Sequence, residues 1–153
     1  MTRAGLNQDF RDLLEALRDC GVEFLVVGAH AMAVHGVPRT TGDLDVWVRP
    51  TPGNAGRVLD ALRRFGAPLE RHGLLPEDLE TPGMVYQIGL PPRRIDLMTS
   101  ATGVDFESSW RERVEVEVEG LVIPFIGREA LIRNKRATGR DKDLVDLRIL
   151  EKG

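Results

Sequence analysis

The stretch FLVVGAHAMAVHGVPRTTGDLDVWV, residues 24–48, decides the fold of this chain. Its first four residues are apolar and rich in β-branched and aromatic side chains, and they end at Gly28, which predicts a short buried strand. The next segment, Ala29–His35, is compatible with a short helix that the following glycine would end. A loop then leads to a second apolar strand that opens with two aspartates. The stretch therefore predicts strand, turn, helix, loop and strand, in that order.

The turn between the first strand and the helix is a candidate phosphate site. A small-residue turn such as Gly28-Ala29 lets backbone N–H groups approach a ligand, and the start of the helix adds a partial positive charge. Alternatively, it is a tight turn that needs only a small residue. In the loop that follows, Arg39, Thr40 and Thr41 offer a cation and two hydroxyls for triphosphate oxygens. The alternative there is an ordinary loop with a surface arginine.

Three aspartates in two predicted strands form the candidate catalytic centre. Side chains alternate along a strand, so Asp43 and Asp45 point the same way, about 7 Å apart. Their mutual repulsion and desolvation would be relieved by a divalent cation, although a solvated strand end is the simpler alternative. Asp96 lies between aliphatic residues in a later strand, behind the Pro91-Pro92-Arg93 turn, and needs a partner there. If that strand brings it beside the first two, the carboxylates would hold two ions about 3.5–4 Å apart.

A small-residue turn, D-x-D on the following strand and a third Asp on a later strand resemble the pattern of the nucleotidyltransferase superfamily, which has the DNA polymerase β-like fold. The family turn is usually Gly-Gly or Gly-Ser, where this chain has Gly28-Ala29. The tail LIRNKRATGRDKDLVDL, residues 131–147, is similar to the last motifs of the abortive-infection (AbiEii-type) nucleotidyltransferases. From about residue 22 to 150, the chain resembles small bacterial nucleotidyltransferase-like families.

The resemblance implies an α/β (α+β) fold with a central mixed β-sheet flanked by helices and with C-terminal helices packed beside it. It implies one domain over residues 1–153, with a core at about 22–126 and a C-terminal helical motif at 127–151. The implied activity is Mg²⁺-dependent transfer of a nucleoside monophosphate from an NTP to an acceptor hydroxyl, by a toxin that has a separate antitoxin partner in the abortive-infection case.

The resemblance also assigns roles to the residues. Asp43 and Asp45 would hold both Mg²⁺ ions, and Asp96 would hold the catalytic ion and take the proton of the acceptor. Lys135 would neutralise phosphate charge within a cluster of basic residues, and Asp143 would orient Lys135 or another cation, or touch the nucleotide. The alternative for the cluster is a pair of ordinary solvated helices. Its members are Arg133, Lys135, Arg136, Arg140 and Lys142.

Composition limits the partners only loosely. The net charge of −3 gives no general attraction to nucleic acid, so an acceptor tRNA is less natural than a protein or a small molecule, and none of the three is excluded. A single cysteine, Cys20, allows no internal disulfide and is compatible with the cytoplasm. No stretch approaches the ~18 apolar residues of a membrane span, and we expect no membrane partner. The rival interpretation is a non-catalytic nucleotide-binding or partner-binding module with the same fold.

Three flanking elements are also predicted from pattern alone. Apolar residues at helical spacing between Leu6 and Cys20 predict an amphipathic helix that covers the sheet. A second helix is expected after Pro50, running to about Phe65. Near the end of the chain, Pro124 in an apolar run suggests a strand at the edge of the sheet, because proline cannot donate to a central ladder.

Overall fold

The computed structural model describes residues 6–37 and 42–152, which form a six-stranded mixed sheet with helices packed against it. The strands are β1 (Phe24–Val27), β2 (Leu44–Val48), β3 (Val85–Ile88), β4 (Ile95–Met98), β5 (Val114–Val118) and β6 (Leu121–Phe125). Their order is β3-β4-β2-β1-β6-β5. Neighbours β2 and β4 are parallel, as are β1 and β6, while the other neighbouring pairs are antiparallel. The predicted α/β class with a central mixed sheet is confirmed.

Seven helices of the described ranges surround this sheet. They are α1 (Gln8–Asp19), α2 (Gly28–Val34), α3 (Pro52–Phe65), α4 (Leu69–His72), α5 (Phe106–Arg111), α6 (Arg128–Thr138) and α7 (Asp141–Lys152), with a 3₁₀ turn at Pro76–Glu80. All four residues of β1 are buried, because a strand in the middle of the sheet is covered on both faces. Across residues 6–37 and 42–152, no helix combines the length and apolar character that crossing a membrane requires.

Helix α1 follows the predicted amphipathic pattern. The side chain of Asn7 caps it by accepting hydrogen bonds from the backbone N–H groups of Asp9 and Phe10. Its apolar stripe is buried, and the helix packs against α3. The four large members of that stripe are Phe10, Leu13, Leu14 and Leu17.

A buried asparagine at the start of α3 fixes the ends of the two central strands. Asn54 is fully buried, and its Oδ1 accepts from the backbone N–H of Glu23 at 2.8 Å. Its Nδ2 donates to the carbonyl oxygens of Glu23 and Arg49, both at 3.0 Å. These bonds attach the start of β1 and the end of β2 to α3. They fix one end of the β1–β2 ladder, and at its other end Val27 lies opposite Asp45.

The prediction that Pro124 marks an edge strand is wrong. Strand β6 lies between β1 and β5, and β5 is the outer strand on that side. The ladder between β6 and β1 is short: Phe125 lies opposite Val26, and the N–H of Ile126 donates to the oxygen of Val26 at 3.0 Å. Because this parallel pairing is confined to the end of β6, the missing N–H of Pro124 is tolerated in an interior strand.

Candidate functional site

The three aspartates meet on one face of the sheet. Strands β2 and β4 are parallel neighbours, and Asp45 lies directly opposite Asp96 in their register. Residues in register on adjacent strands share a face, and Asp43 precedes Asp45 by two residues, so all three carboxylates are directed to the same side. One arginine, Arg94, contacts both Asp43 and Asp96. The convergence predicted from the sequence is therefore present in the fold.

Asp45 sits in a position that disfavours its charged form. Its pKa is raised from the ordinary value to about 6, first because burial penalises the charged form and then because Asp96 and Asp43 add negative charge. The positive charge of Arg94 offsets this only in part. Near neutral pH the cluster therefore holds more negative charge than its surroundings compensate, which is the electrostatic condition for binding a further cation.

Arg94 is a site residue that the sequence reasoning missed. Its Nε donates to Asp96 Oδ1 at 2.7 Å, and its Nη2 lies 3.1 Å from Asp96 Oδ2 and 3.4 Å from Asp43 Oδ2. Its backbone N–H also donates to Asp43 Oδ1 at 2.9 Å. A signal was available, because Arg94 stands two residues before Asp96 and strand alternation puts both side chains on one face.

Position 28 requires a glycine because the Asp45 side chain lies where a Cβ would be. It has a φ of +72°, and a Cβ added to it would lie 2.2 Å from Asp45 Oδ2. Any other residue would therefore be strained in its backbone and would also displace the carboxylate. The sequence had suggested close approach of a phosphate as the reason for a glycine. The structure shows a different neighbour, the Asp45 side chain, at the point where β1 passes into α2.

Lys135 and Asp143 belong to a buried charged cluster between α6 and α7. Lys135 Nζ lies 3.3 Å from Asp143 Oδ1 and 3.2 Å from Asp146 Oδ2. Asp143 is fully buried and also accepts from Arg140 Nε at 2.7 Å and from Thr138 Oγ1 at 2.7 Å. Burial by itself would raise the pKa of Asp143, but the hydrogen bonds from Arg140, Thr138 and Lys135 outweigh burial and hold it well below its usual range.

This cluster joins the last two helices of the chain. The K-D-x-x-D-L segment contains two aspartates, Asp143 and Asp146, and both contact the ammonium of Lys135. Asp143 contacts Lys135, while its role in orienting Lys135 or another cation, or in touching the nucleotide, stays a prediction. These contacts do not involve a phosphate, so the phosphate-binding role of Lys135 stays a prediction.

Solved structures with the same fold were found by comparison of coordinates. A Thermotoga maritima protein described as a nucleotidyltransferase has a TM-score of 0.59 at 17% identity, over 95% of this chain and 91% of that one. ANT(2″)-Ia, in complex with adenylyl-2″-tobramycin, has a TM-score of 0.55 at 12% identity, over 94% of this chain and 86% of that one. The lincosamide antibiotic adenylyltransferase LnuA, bound to lincomycin, has a TM-score of 0.55 at 12% identity, over 97% of this chain and 98% of that one.

This chain has the nucleotidyltransferase fold. No protein-family model matches its sequence, and no curated protein matches it either. The likeness to the three structures rests on the arrangement of the elements, because the identities are too low to carry more than the fold. Within that nucleotidyltransferase fold, the pairing of β2 with β4 places Asp45 opposite Asp96.

The carboxylates of this nucleotidyltransferase fold were predicted to hold two Mg²⁺ ions. Among residues 6–37 and 42–152, no three His, Cys, Asp or Glu side chains are grouped so as to hold a metal ion, and the guanidinium of Arg94 bridges Asp43 and Asp96 instead. The donor chemistry does fit a hard cation, since the carboxylate oxygens converge and a positive group already bridges two of them. The Arg94 guanidinium lies on the Asp43 and Asp96 oxygens that such a cation would use.

A cavity of about 560 Å³ opens beside Gly42, the chain neighbour of Asp43. It lies between the start of α1 and the β3–β4 turn, and its lining includes Phe10, His30, Gly42 and Arg93. Gly42 and Arg93 are the chain neighbours of Asp43 and Arg94, whereas none of the three aspartates is among the residues that line the cavity. Its volume is within the range of about 300–1,000 Å³ that is usual for small-molecule sites.

The other predicted phosphate ligands follow β1 in the chain. Ala29 is the second residue of α2, directly after Gly28. Arg39, Thr40 and Thr41 lie outside the described residues. Between them, His30 faces the ring of Phe10 at 5.7 Å, and burial lowers its pKa. The His30 ring nitrogen Nε2 also lies 3.3 Å from the carbonyl oxygen of Gly42, so His30 makes one ring contact and one polar contact.

Proposed function

We propose that this protein is a nucleotidyltransferase that moves a nucleoside monophosphate from an NTP to an acceptor hydroxyl, with Mg²⁺ as cofactor. The observation that carries the proposal is the register of β2 and β4, which puts Asp45 opposite Asp96 with Asp43 on the same face. The raised pKa of Asp45 adds to it, because the site holds an excess of negative charge that a divalent ion would neutralise. The nucleotidyltransferase fold of the whole chain supports the same reaction class.

Asp43 and Asp45 would hold both ions, and Asp96 would hold the one beside the acceptor. Bound there, the ions would supply charge neutralisation for the triphosphate and a lower pKa for the acceptor hydroxyl. The hydroxyl oxygen attacks the α-phosphorus, the bond to the pyrophosphate oxygen breaks, and the proton of the hydroxyl passes to an oxygen of Asp96. The rate gain comes from positioning and from fixed charges in a partly desolvated site.

The phosphate ligands proposed from the sequence are the Gly28-Ala29 turn, the loop residues Arg39, Thr40 and Thr41, and Lys135 with Asp143. The turn is supported by its position, because Val27, just before Gly28, lies opposite Asp45 in the β1–β2 register. The orienting role of Asp143 is supported by its 3.3 Å contact with Lys135 Nζ.

The acceptor is proposed from chemistry and size. A tRNA, a protein and a small molecule are all compatible with the proposed reaction, and the cavity beside Gly42 favours a small molecule that carries a hydroxyl. Two of the structurally similar proteins carry antibiotic-related molecules in their structures, adenylyl-2″-tobramycin and lincomycin. The similarity of the tail to AbiEii-type enzymes supports a second setting, a cytoplasmic toxin with an antitoxin partner that blocks it.

A non-catalytic nucleotide-binding or partner-binding module is the second candidate. The observation that favours it is Arg94, which neutralises part of the carboxylate cluster from within the chain and leaves less need for metal. Gly28-Ala29 in place of the usual family turn points the same way.

Labelled-nucleotide transfer separates the two candidates. The chain would be incubated with Mg²⁺, each α-³²P-labelled NTP in turn, and bacterial RNA, protein and metabolite fractions, beside Asp45→Asn and the surface control Asp60→Asn. We expect label in one fraction with the wild type and Asp60→Asn, and none with Asp45→Asn. Transfer that survives in Asp45→Asn would remove this residue from the mechanism. Mg²⁺-dependent NTP binding by calorimetry without transfer in any fraction would favour the module.

A further inference from the structure

Arg94 engages every oxygen of two of the three carboxylates. Its Nε donates to Asp96 Oδ1 at 2.7 Å, and its Nη2 donates to Asp96 Oδ2 at 3.1 Å. The backbone N–H of Arg94 donates to Asp43 Oδ1 at 2.9 Å, and its Nη2 lies 3.4 Å from Asp43 Oδ2. The fork of the guanidinium thus bridges Asp43 and Asp96 in the way a bridging cation would, with the geometry that suits paired carboxylate oxygens.

A divalent ion needs the same oxygens. Mg²⁺ binds oxygen ligands at about 2.0–2.1 Å in a near-octahedral shell and tolerates little distortion. A guanidinium held at hydrogen-bond distance from those oxygens both fills the coordination space and repels a second cation. Arg94 and a metal ion therefore exclude one another at Asp43 and Asp96.

The side chain can leave while the backbone stays. The Arg94 side chain is 28% exposed, so it can rotate from the carboxylates into solvent. Its main chain is fixed separately, by its N–H on Asp43 and by its carbonyl oxygen, which accepts from the N–H of Leu44 at 2.9 Å. Release of the guanidinium thus requires side-chain rotation alone and leaves the register of β2 and β4 intact.

We propose that Arg94 is a built-in counter-cation that competes with the divalent ion for Asp43 and Asp96, so that metal loading requires its guanidinium to swing away from these carboxylates. The inference rests on the proposed metal-dependent function. Its consequence is that wild-type metal affinity is lower than the three carboxylates would give without the arginine.

Metal binding without substrate tests this directly. Mn²⁺ binding would be measured by electron paramagnetic resonance of the free ion, and Mg²⁺ binding by calorimetry, at pH 7.5 on the wild-type chain and Arg94→Met. Arg63→Met is the matched control, because Arg63 lies on α3 with a 63% exposed side chain and its loss removes the same charge. We expect Arg94→Met to bind Mn²⁺ at least fivefold more tightly than the wild type and Arg63→Met to stay within twofold of it.

A second measurement protects the test against misfolding of Arg94→Met. In ¹⁵N-labelled wild-type protein, the Arg94 Nε–Hε signal should shift and narrow as Mg²⁺ is added, because the guanidinium loses its contact with Asp96. Equal or weaker Mn²⁺ binding by folded Arg94→Met, or an Arg94 signal unmoved at saturating Mg²⁺, would overturn the inference.

The outcomes separate this inference from the proposed function. Metal binding that is equal in the wild type and Arg94→Met refutes the competition and leaves the metal-dependent enzyme standing. Binding that appears only in Arg94→Met supports the competition in its strongest form. Tighter binding in Arg94→Met without nucleotide transfer by the wild type sustains the competition while counting against the enzyme, and no metal binding by either protein refutes both.

Discussion

Replacing Asp45 with asparagine should stabilise the metal-free protein while it removes a residue of the proposed active site. Asparagine has the same shape as the carboxylic acid, carries no charge and can donate a hydrogen bond toward Asp96. The pKa of Asp45 is raised from 3.8 to about 6 in the folded chain. Above that pKa, the wild-type protein must keep a charge in a place where burial and two neighbouring carboxylates oppose it, so its folded state is disfavoured.

The size of the effect follows from the difference between the folded and unfolded pKa. About two units correspond to about 3 kcal/mol of unfolding free energy at pH 7.5, since each unit is worth about 1.4 kcal/mol. Between pH 4 and 6, the folded state binds more protons than the unfolded state, so wild-type stability falls as the pH rises through this window and then levels off. The advantage of Asp45→Asn should therefore shrink to about 0.5 kcal/mol at pH 4.

Urea unfolding in EDTA at pH 4, 5 and 7.5, followed by circular dichroism, measures this directly. Asp60→Asn is the control, because Asp60 lies on the exposed face of α3 with a 67% exposed side chain, and it should change stability by less than about 0.5 kcal/mol. Added Mg²⁺ should stabilise the wild type and not Asp45→Asn. An Asp45→Asn protein that is less stable than the wild type at pH 7.5 would refute the electrostatic account of this site.

Three further changes test the geometry elsewhere. Gly28→Ala should cost more than about 2 kcal/mol and weaken metal binding, because its Cβ would lie 2.2 Å from Asp45 Oδ2 at a φ of +72°; urea unfolding and Mn²⁺ titration measure the two effects. Lys135→Met should cost about 3 kcal/mol in urea unfolding at pH 7.5, because it removes an ammonium group from contact with two buried carboxylates. Asp143→Asn should have a lower free energy of unfolding than the wild type at pH 7.5. This difference should shrink as the pH falls below about 4, because the stability that a carboxylate with a lowered pKa contributes is lost there. Acid titration of the unfolding midpoint measures the change.

Each of these changes has an internal control or a clear contrary result. Gly36→Ala shares the positive φ, +89°, but meets nothing within 4 Å, so it should show backbone strain alone and leave metal binding unchanged. Lys142→Met removes an exposed lysine from α7 and should have little effect. Equal costs for Gly28→Ala and Gly36→Ala would contradict the clash with Asp45. A gap between Asp143→Asn and wild type that is constant down to pH 2 would contradict the charged hydrogen-bond network.

The sequence by itself determined the local elements and the direction of the aspartates. The apolar run of β1, the amphipathic stripe of α1 and the position of α3 are set by periodicity and by residue type, which act over a few residues. That Asp43 and Asp45 face the same side follows from strand alternation alone. The resemblance to nucleotidyltransferases then gave the fold, which the structure confirms.

Tertiary structure decided which distant residues meet. The parallel pairing of β2 with β4 places Asp96 opposite Asp45, whereas a shift of one residue would have turned Asp96 to the other face. Pro124 shows the limit of a local rule, because its strand is interior and only the short ladder with β1 makes that possible. The reach of Arg94 to Asp43 and the contact between Gly28 and Asp45 came to light only in three dimensions, since each joins groups far apart in the chain. The contact of Arg94 with Asp96, two residues away, could have been predicted from strand alternation.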